Sequence, residues 1–247
     1  MELSYQQPHV LTHYNAAVTF QDLEQKFNIS SDNPEIVDTA KSVLNKTKGM
    51  IHPKAVCQWF AFENTGKGTS GSIIQRAGDH VTFDFGWSFQ FVRHARYALI
   101  SVITTGQAFE KELKHTLSKG DLLEAYFLDL IGLIALGQLE ETIKGIAEKK
   151  AGNLGWGVSP FLSPGSVRGW DLKDQAKLCS VLPLEKIGVT FQNDSVLSPL
   201  KTVSCLIGLG PEYNAAHVGT TCQVCSKNDT CPMKQTAGSN CLYPSIP

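Results

Sequence analysis

The sequence lacks an excess of charge of either sign. It has 22 basic and 23 acidic side chains among 247 residues, and 42% of its residues are hydrophobic. A chain without a basic excess has little electrostatic attraction to nucleic acid or to anionic lipid. The proportions are those of a folded globular protein. We therefore expect a chain that folds on its own and has no nucleic-acid partner.

Long apolar runs and export signals are also missing. No run of about 18 apolar residues, the length that a membrane span needs, occurs in the chain. The first residues, Met1 to Gln7, have no charged start followed by an apolar stretch. We expect no membrane span and a cytoplasmic location.

The common catalytic motifs are absent as well. The chain contains no nucleotide-binding phosphate loop, no nucleophile elbow and no H-E-x-x-H zinc motif. The glycine-rich stretch from Gly66 to Gly71 lacks the strand-loop-helix setting of a phosphate loop. We interpret it as a hairpin connection.

Local patterns predict helices in the middle of the chain and strands on both sides. Asn33 before Pro34 is typical of a helix start, and so is Asp121 with Glu124 three residues later. The predicted helices cover residues 34–48, 107–117 and 121–149, with a short one after Asp171; the predicted strands cover residues 55–62, 80–85, 96–104, 187–191 and 202–206. This order predicts an α+β fold. Glycines 132, 137 and 145 in the long helix indicate close packing or a break.

The section from Ala98 to Gly210 contains a series of short motifs that resemble those of a known family. These motifs are Ile103-Thr104-Thr105-Gly106, Gly120-Asp121, Leu128-Asp129-Leu130-Ile131-Gly132, Ser163-Pro164-Gly165, Trp170-Asp171-Leu172, Gln175, Ile187-Gly188-Val189-Thr190, Pro199-Leu200-Lys201-Thr202-Val203-Ser204 and Ile207-Gly208. In this order they resemble the reactivation domain of cobalamin-dependent methionine synthase, and especially its stand-alone bacterial relatives.

The resemblance implies a C-shaped α+β fold with a twisted antiparallel sheet and long helices. It also implies binding of S-adenosylmethionine and docking over a cobalamin domain, where an inactive Co(II) corrinoid is reduced and remethylated. We expect a core over residues 1–212, made of an N-terminal helix and strands (1–95) and the family-like section (98–210). A cysteine-rich tail covers residues 213–247.

The family's ligand loop reads Arg-x-x-Pro-Gly-Tyr, and here the chain departs from it. Phe161 and Ser166 stand where the family has the arginine and the tyrosine. A phenylalanine cannot pair with the methionyl carboxylate as a guanidinium does. The candidate ligand residues are Ser163, Pro164, Gly165 and Arg168, with Arg168 reaching back from a longer loop. The alternative is a tight turn at Pro164-Gly165 and a Trp170 that only fills the core.

The cysteines form the second candidate site. Seven is an odd number, which argues against a disulfide framework in a chain without an export signal. Four of them fall in the last 26 residues, as Cys222-x-x-Cys225, Cys231 and Cys241. A two-residue gap lets neighbouring thiolates converge on one metal. The alternatives are a redox dithiol at Cys222 and Cys225 or thiols that only pack.

Four thiolates suit either a 4Fe-4S cluster or zinc, and we favour the cluster. Reduction of Co(II) to Co(I) needs a low-potential electron, which such clusters can supply. His217 could replace Cys241 as the fourth ligand, and Cys57 could join from the N-terminal sheet. Cys179 and Cys205 lie in apolar contexts and are predicted to be core residues.

The function predicted from these features is that of an accessory protein of corrinoid-dependent methyl transfer. It docks on a corrinoid-binding protein or methyltransferase and assists reactivation of its cobalt through the metal cluster. One alternative is a small-molecule-binding or scaffold protein with structural zinc. Another is an S-adenosylmethionine-dependent enzyme, against which the missing arginine and tyrosine weigh.

Overall fold

The computed structural model describes residues 7–27, 33–75, 77–193, 195–225 and 227. The strands are β1 (His9–Leu11), β2 (Lys54–Asn64), β3 (Ser70–Ile74), β4 (His80–Asp84), β5 (Tyr97–Thr104), β6 (Gly157–Val158), β7 (Thr190–Asn193), β8 (Val196–Ser198) and β9 (Thr202–Gly210). The helices are α1 (Phe20–Phe27), α2 (Pro34–Thr47), α3 (Phe89–Val92), α4 (Gln107–Ser118), α5 (Leu122–Leu154) and α6 (Asp174–Cys179).

Seven of these strands form one antiparallel sheet. Its order is β4, β3, β2, β5, β9, β6, and β1 pairs with the first part of β2. Strand β5 pairs along its whole length with β2 on one side and β9 on the other. Its side chains alternate between two core clusters: Ile100 and Val102 belong to one, and Leu99 and Ile103 to the other. Because both faces are covered, β5 is buried from Ala98 to Thr104.

The long helix α5 covers one face of the sheet. Its second half packs Leu139, Ile143 and Ala147 against sheet residues such as Leu99 and Ile207. Its first half packs against α1, α2 and α4 in a separate cluster. By length and composition α5 could cross a membrane, but 56% of its most apolar stretch is buried inside the structure. We therefore interpret it as a core helix.

The opposite face of the sheet carries an aromatic core. Phe85 and Trp170 lie 4.7 Å apart between ring centroids, and Phe83 contacts both rings. Leu178 and Cys179 of α6 belong to the same cluster. This core fastens the segment around Trp170, and with it the candidate ligand loop, to the sheet.

The structure confirms the α+β fold with a twisted antiparallel sheet and a long helix, and it corrects several element bounds. The strand predicted over 187–191 begins only at Thr190, because Leu184–Ile187 forms a 3-10 helix. The short helix predicted after Asp171 begins at Asp174. Elements β1, β3, β6, β8, α1 and α3 were not predicted. Helix α5 continues to Leu154 without a break.

Candidate functional site

The candidate ligand loop, residues 161–170, begins at the side of β9. Leu162 forms an isolated antiparallel bridge with Leu206, with N···O distances of 3.1 and 2.9 Å. The carbonyl of Ser163 then accepts hydrogen bonds from the amides of Ser166 and Val167, each at 3.2 Å. The amide of Gly165 donates to the carbonyl of Trp170 at 2.9 Å. The loop is therefore a compact turn held by its own backbone.

The far end of the loop is anchored by a buried polar pair. Trp170 is 2% exposed, and its indole nitrogen donates to Asp174 Oδ2 at 3.2 Å. Asp174 is 1% exposed and also accepts a hydrogen bond from Lys177 Nζ at 2.8 Å. Because the buried carboxylate of Asp174 binds both the indole of Trp170 and the ammonium group of Lys177, it holds the tryptophan in one orientation. The sequence analysis did not single out Asp174, which begins α6.

A close backbone contact ties the loop to the segment after β4. A Cβ atom on Gly169 would lie 2.5 Å from the amide nitrogen of Trp87, and one on Gly86 would lie 2.5 Å from the carbonyl oxygen of Gly169. Asp84 accepts hydrogen bonds from the hydroxyl of Thr69 and the amide of Gly86, which lower the pKa of its carboxyl. These bonds fix the turn that approaches Gly169.

The four predicted ligand residues occupy different environments. Ser163 and Pro164 are buried, whereas Gly165 and Arg168 are exposed. The guanidinium of Arg168 stacks over the Trp87 ring, 5.2 Å from its centroid. The backbone of Arg168 is held on both sides, because its amide donates to Val224 at 3.0 Å and its carbonyl accepts from Ser88 Oγ.

The two positions that depart from the family motif also differ from each other. Phe161 is 1% exposed and lies in the cluster beneath α5, with Lys144 Nζ 5.6 Å from its ring centroid. Lys144 is itself paired with Glu140 and Glu141 on α5. Ser166 is exposed. Position 161 therefore serves the core.

The first two tail cysteines lie beside this loop. Val167 and Cys225 form an antiparallel bridge, and the amide of Phe161 donates to the carbonyl of Gly219 at 3.0 Å. Between them, Thr221–Val224 forms a 3-10 helix that carries Cys222. Both thiols are free and partly exposed. The structure thus brings the two candidate sites, which are far apart in sequence, against each other.

The structure does not describe the rest of the predicted metal set. Cys231 and Cys241 lie outside the described residues. Among the residues that are described, no group of three or more His, Cys, Asp or Glu side chains is arranged to hold a metal ion. Cys225 Sγ accepts a hydrogen bond from the amide of Lys227 at 3.4 Å.

His217, the predicted alternative ligand, is fixed by α5. Its Nδ1 lies 3.2 Å from Glu148 Oε2, and the other carboxylate oxygen accepts from the amide of Val218 at 2.8 Å. A histidine held at Nδ1 by a carboxylate presents Nε2, which is the usual arrangement of a metal-ligating histidine. Glu148 thereby anchors the segment that leads to Cys222, and sequence analysis missed it because one acid on a long helix gives no local signal.

The remaining cysteines are core residues. Burial raises the pKa of the Cys57 thiol to about 11 and that of Cys179 to about 12, and it also raises the pKa of Cys205. Groups with such pKa values remain thiols at neutral pH. Cys179 and Cys205 are both 0% exposed. This confirms the prediction for Cys179 and Cys205.

The seam between the loop and the cysteine segment contains unpartnered polar atoms. Four buried side-chain oxygens in the described part of the chain have no hydrogen-bond partner, and three of them belong to Ser163, Thr220 and Gln223. Buried polar atoms are normally paired with protein, water or ligand. Water or a bound polar molecule could therefore pair with these three oxygens.

Comparison with known proteins supports the fold. No protein-family model matches the chain, and no curated protein matches it. Among solved structures, the crystal structure of the MetH reactivation domain bound to AdoHcy is similar, with a TM-score of 0.66 and 12% sequence identity. The match covers 87% of this chain and 82% of that one. At this identity the likeness shows the fold alone.

Proposed function

We propose that this chain is an accessory protein of corrinoid-dependent methyl transfer. It docks on a corrinoid-binding protein or methyltransferase in the cytoplasm and assists the return of its cobalt to the active state. The observation that supports this role is the likeness to the MetH reactivation domain over 87% of the chain. The core over residues 1–212 provides the fold, and the tail over 213–247 provides the thiols.

The thiols of the tail suit a soft metal or an iron-sulfur cluster. Cys222 and Cys225 are partly exposed and free, and with Cys231 and Cys241 they would hold the metal. When bound, a 4Fe-4S cluster supplies a low-potential electron of the kind that Co(II) reduction requires. The backbone of the loop holds the segment that carries the first two thiols, since Val167 pairs with Cys225 and the amide of Arg168 donates to the carbonyl of Val224.

Metal analysis tests this proposal. We expect anaerobically purified protein to contain iron and sulfide and to absorb in the visible range, and we expect the Cys222→Ser/Cys225→Ser variant to lose both. The matched control is Cys179→Ala, which removes a core thiol and should retain the iron. Stoichiometric zinc without iron in the wild type would remove the electron-transfer role. It would support the alternative, a small-molecule-binding or scaffold protein with structural zinc.

The ligand loop leads to a separate expectation for S-adenosylmethionine. The AdoHcy bound in the similar structure makes this ligand class plausible. Without the family arginine, the ligand loses a charge-assisted carboxylate contact worth about 1.5 to 3 kcal/mol. Affinity should then be at least about tenfold weaker than in a relative with the full motif. The exposed Arg168, which stacks on Trp87, is the residue that could compensate.

Calorimetry on the wild type and on Arg168→Ala decides the role of the loop. We expect no measurable binding of S-adenosylmethionine to either protein. Micromolar binding that is lost in Arg168→Ala would assign the carboxylate contact to Arg168. Micromolar binding that the substitution leaves unchanged would mean that Phe161 and Ser166 are wrongly aligned with the family motif.

A further inference from the structure

A cavity lies away from the ligand loop, at the end of the sheet where β2 finishes and β5 begins. Its volume is about 270 Å³. It is lined by residues from the end of β2, the turn before β5 and the turn after β9: Phe62, Glu63, Asn64, Arg93, His94, Ala95, Arg96 and Glu212. The volume is close to the lower limit for small-molecule sites, so it suits a ligand of few atoms.

Arginine is rare in this chain, and two arginines meet at this cavity. The sequence contains four arginines and eighteen lysines. Two of the four, Arg93 and Arg96, line the cavity. Arginine differs from lysine in presenting a planar fork of donors that matches a carboxylate or phosphate. Its placement here, in a protein that uses lysine almost everywhere else, points to recognition of such a group.

Two of the four charges that line the cavity are already connected. Arg93 Nε donates to His94 Nε2 at 2.9 Å. The other ring nitrogen of His94, Nδ1, lies 2.7 Å from Glu212 Oε2. His94 thus links the guanidinium of Arg93 to the carboxylate of Glu212.

The other two charged side chains, Arg96 and Glu63, are exposed and have no charged partner within the described residues. Within the described part of the chain, the side chains of Arg96 and Glu63 form no ion pair or hydrogen bond, with each other or with any neighbour. Asn64, between the end of β2 and the hairpin, uses its carbonyl oxygen to accept from the amide of Gly66 at 2.8 Å. Its amide nitrogen is left as a further donor. One cation, one anion and one neutral donor therefore line the same cavity.

We propose that this cavity binds a small zwitterion, of which a free α-amino acid is the simplest class. Arg96 and Asn64 bind the carboxylate, and Glu63 binds the ammonium group. The charges of the two arginines and two glutamates in the lining sum to zero, as do the two charges of a zwitterion. A zwitterion also offers a group of opposite charge to both Arg96 and Glu63. A simple oxyanion such as phosphate would meet two carboxylates as well as two guanidinium groups, so the lining gives it no net attraction.

Ligand-observed NMR with leucine and its analogues tests the charge requirement. We expect L-leucine to bind the wild-type protein at millimolar concentration or below. L-leucinamide lacks the carboxylate and 4-methylpentanoate lacks the ammonium group, and each should bind at least about tenfold more weakly because each loses a charge-assisted contact. Phosphate should not compete. Failure of L-leucine to bind, or competition by phosphate at equal concentration, would overturn the proposal.

Two variants test the assignment of the residues. Arg96→Gln and Glu63→Gln should each weaken L-leucine binding at least about tenfold, whereas the exposed Lys67→Gln, in the neighbouring hairpin, should not. Both test variants should fold, since Arg96 binds Phe62 and Leu209 only through its backbone, and circular dichroism checks this. L-leucine binding that neither substitution weakens would place the site elsewhere and refute the assignment.

Discussion

The contact between Gly86 and Gly169 shows how single residues place the candidate ligand loop. Gly86 has φ +50° and Gly169 has φ +86°. A Cβ atom on either residue would lie 2.5 Å from a backbone atom of the facing segment, the carbonyl oxygen of Gly169 or the amide nitrogen of Trp87. Side chains rarely adopt such φ values, and no rearrangement of a flexible side chain could relieve a clash with backbone atoms. The loop can therefore approach the segment of Trp87 only because both positions are glycine.

Gly169→Ala should lower the free energy of unfolding by more than the cost of placing alanine at the positive φ of residue 169. The left-handed conformation costs about 1 to 2 kcal/mol for alanine. The clash with Trp87 adds about 1 to 3 kcal/mol, as is typical of overpacking. Urea unfolding monitored by circular dichroism measures the sum.

Gly188→Ala is the matched control for this substitution. Gly188 has φ +70° and nothing within 4 Å of the added methyl group, so only the conformational cost applies. Equal losses of unfolding free energy in the two variants would show that the loop moves away from Trp87 without cost.

At the scale of elements, local signals predicted the starts of α2 and α5 correctly. Asn33 accepts hydrogen bonds from the amides of Glu35 and Ile36, and Asp121 accepts from the amide of Glu124. Such caps are readable in sequence because they connect residues only two or three positions apart. Gly132 marks close packing, since a Cβ there would lie 2.5 Å from the ring of Phe109 on α4.

The strands were less predictable because long-range pairing decides them. Strand β3 begins inside the hairpin connection that was expected from Gly66 to Gly71, and its hydroxyl-rich start is fixed by pairing with β4. The onset of β7 at Thr190 follows from the preceding 3-10 helix, which the apolar run at Ile187 concealed. Helix and strand patterns overlap in such short apolar runs.

The same limit applies to the candidate site. Sequence motifs identified the loop around Pro164 and the cysteines at Cys222 and Cys225 separately. Their contact through Val167 and Cys225 joins segments far apart in sequence, and no local pattern encodes it. In the sequence, the apolar Val224 between the two cysteines is a feature that could have suggested docking, and the structure buries it to 2% exposure.

At the scale of the whole molecule, the cysteine segment is attached to the core by groups other than sulfur. Val224 belongs to the aromatic core cluster, and Val218 belongs to the cluster beneath α5. Glu148 of α5 holds the amide of Val218, and the ligand loop holds the backbone at Val224 and Cys225. The boundary between a core and a tail at residue 212 stays a prediction, and the cysteine side chains offer a way to test it.

We expect the metal-free Cys222→Ser/Cys225→Ser variant to remain folded, with an unfolding free energy within about 0.5 kcal/mol of the metal-free wild type. Both thiols are partly exposed, and the contacts that hold their segment use backbone atoms and Val224. Val224→Ala is the control, because removing two methyl groups from a buried site should cost about 1.5 to 3 kcal/mol. Urea unfolding of the metal-free wild type, the double-serine variant and Val224→Ala measures the three free energies of unfolding. A double-serine variant that unfolds, or that loses as much stability as Val224→Ala, would mean that the cysteine side chains belong to the folded core and that the tail is not separable from it.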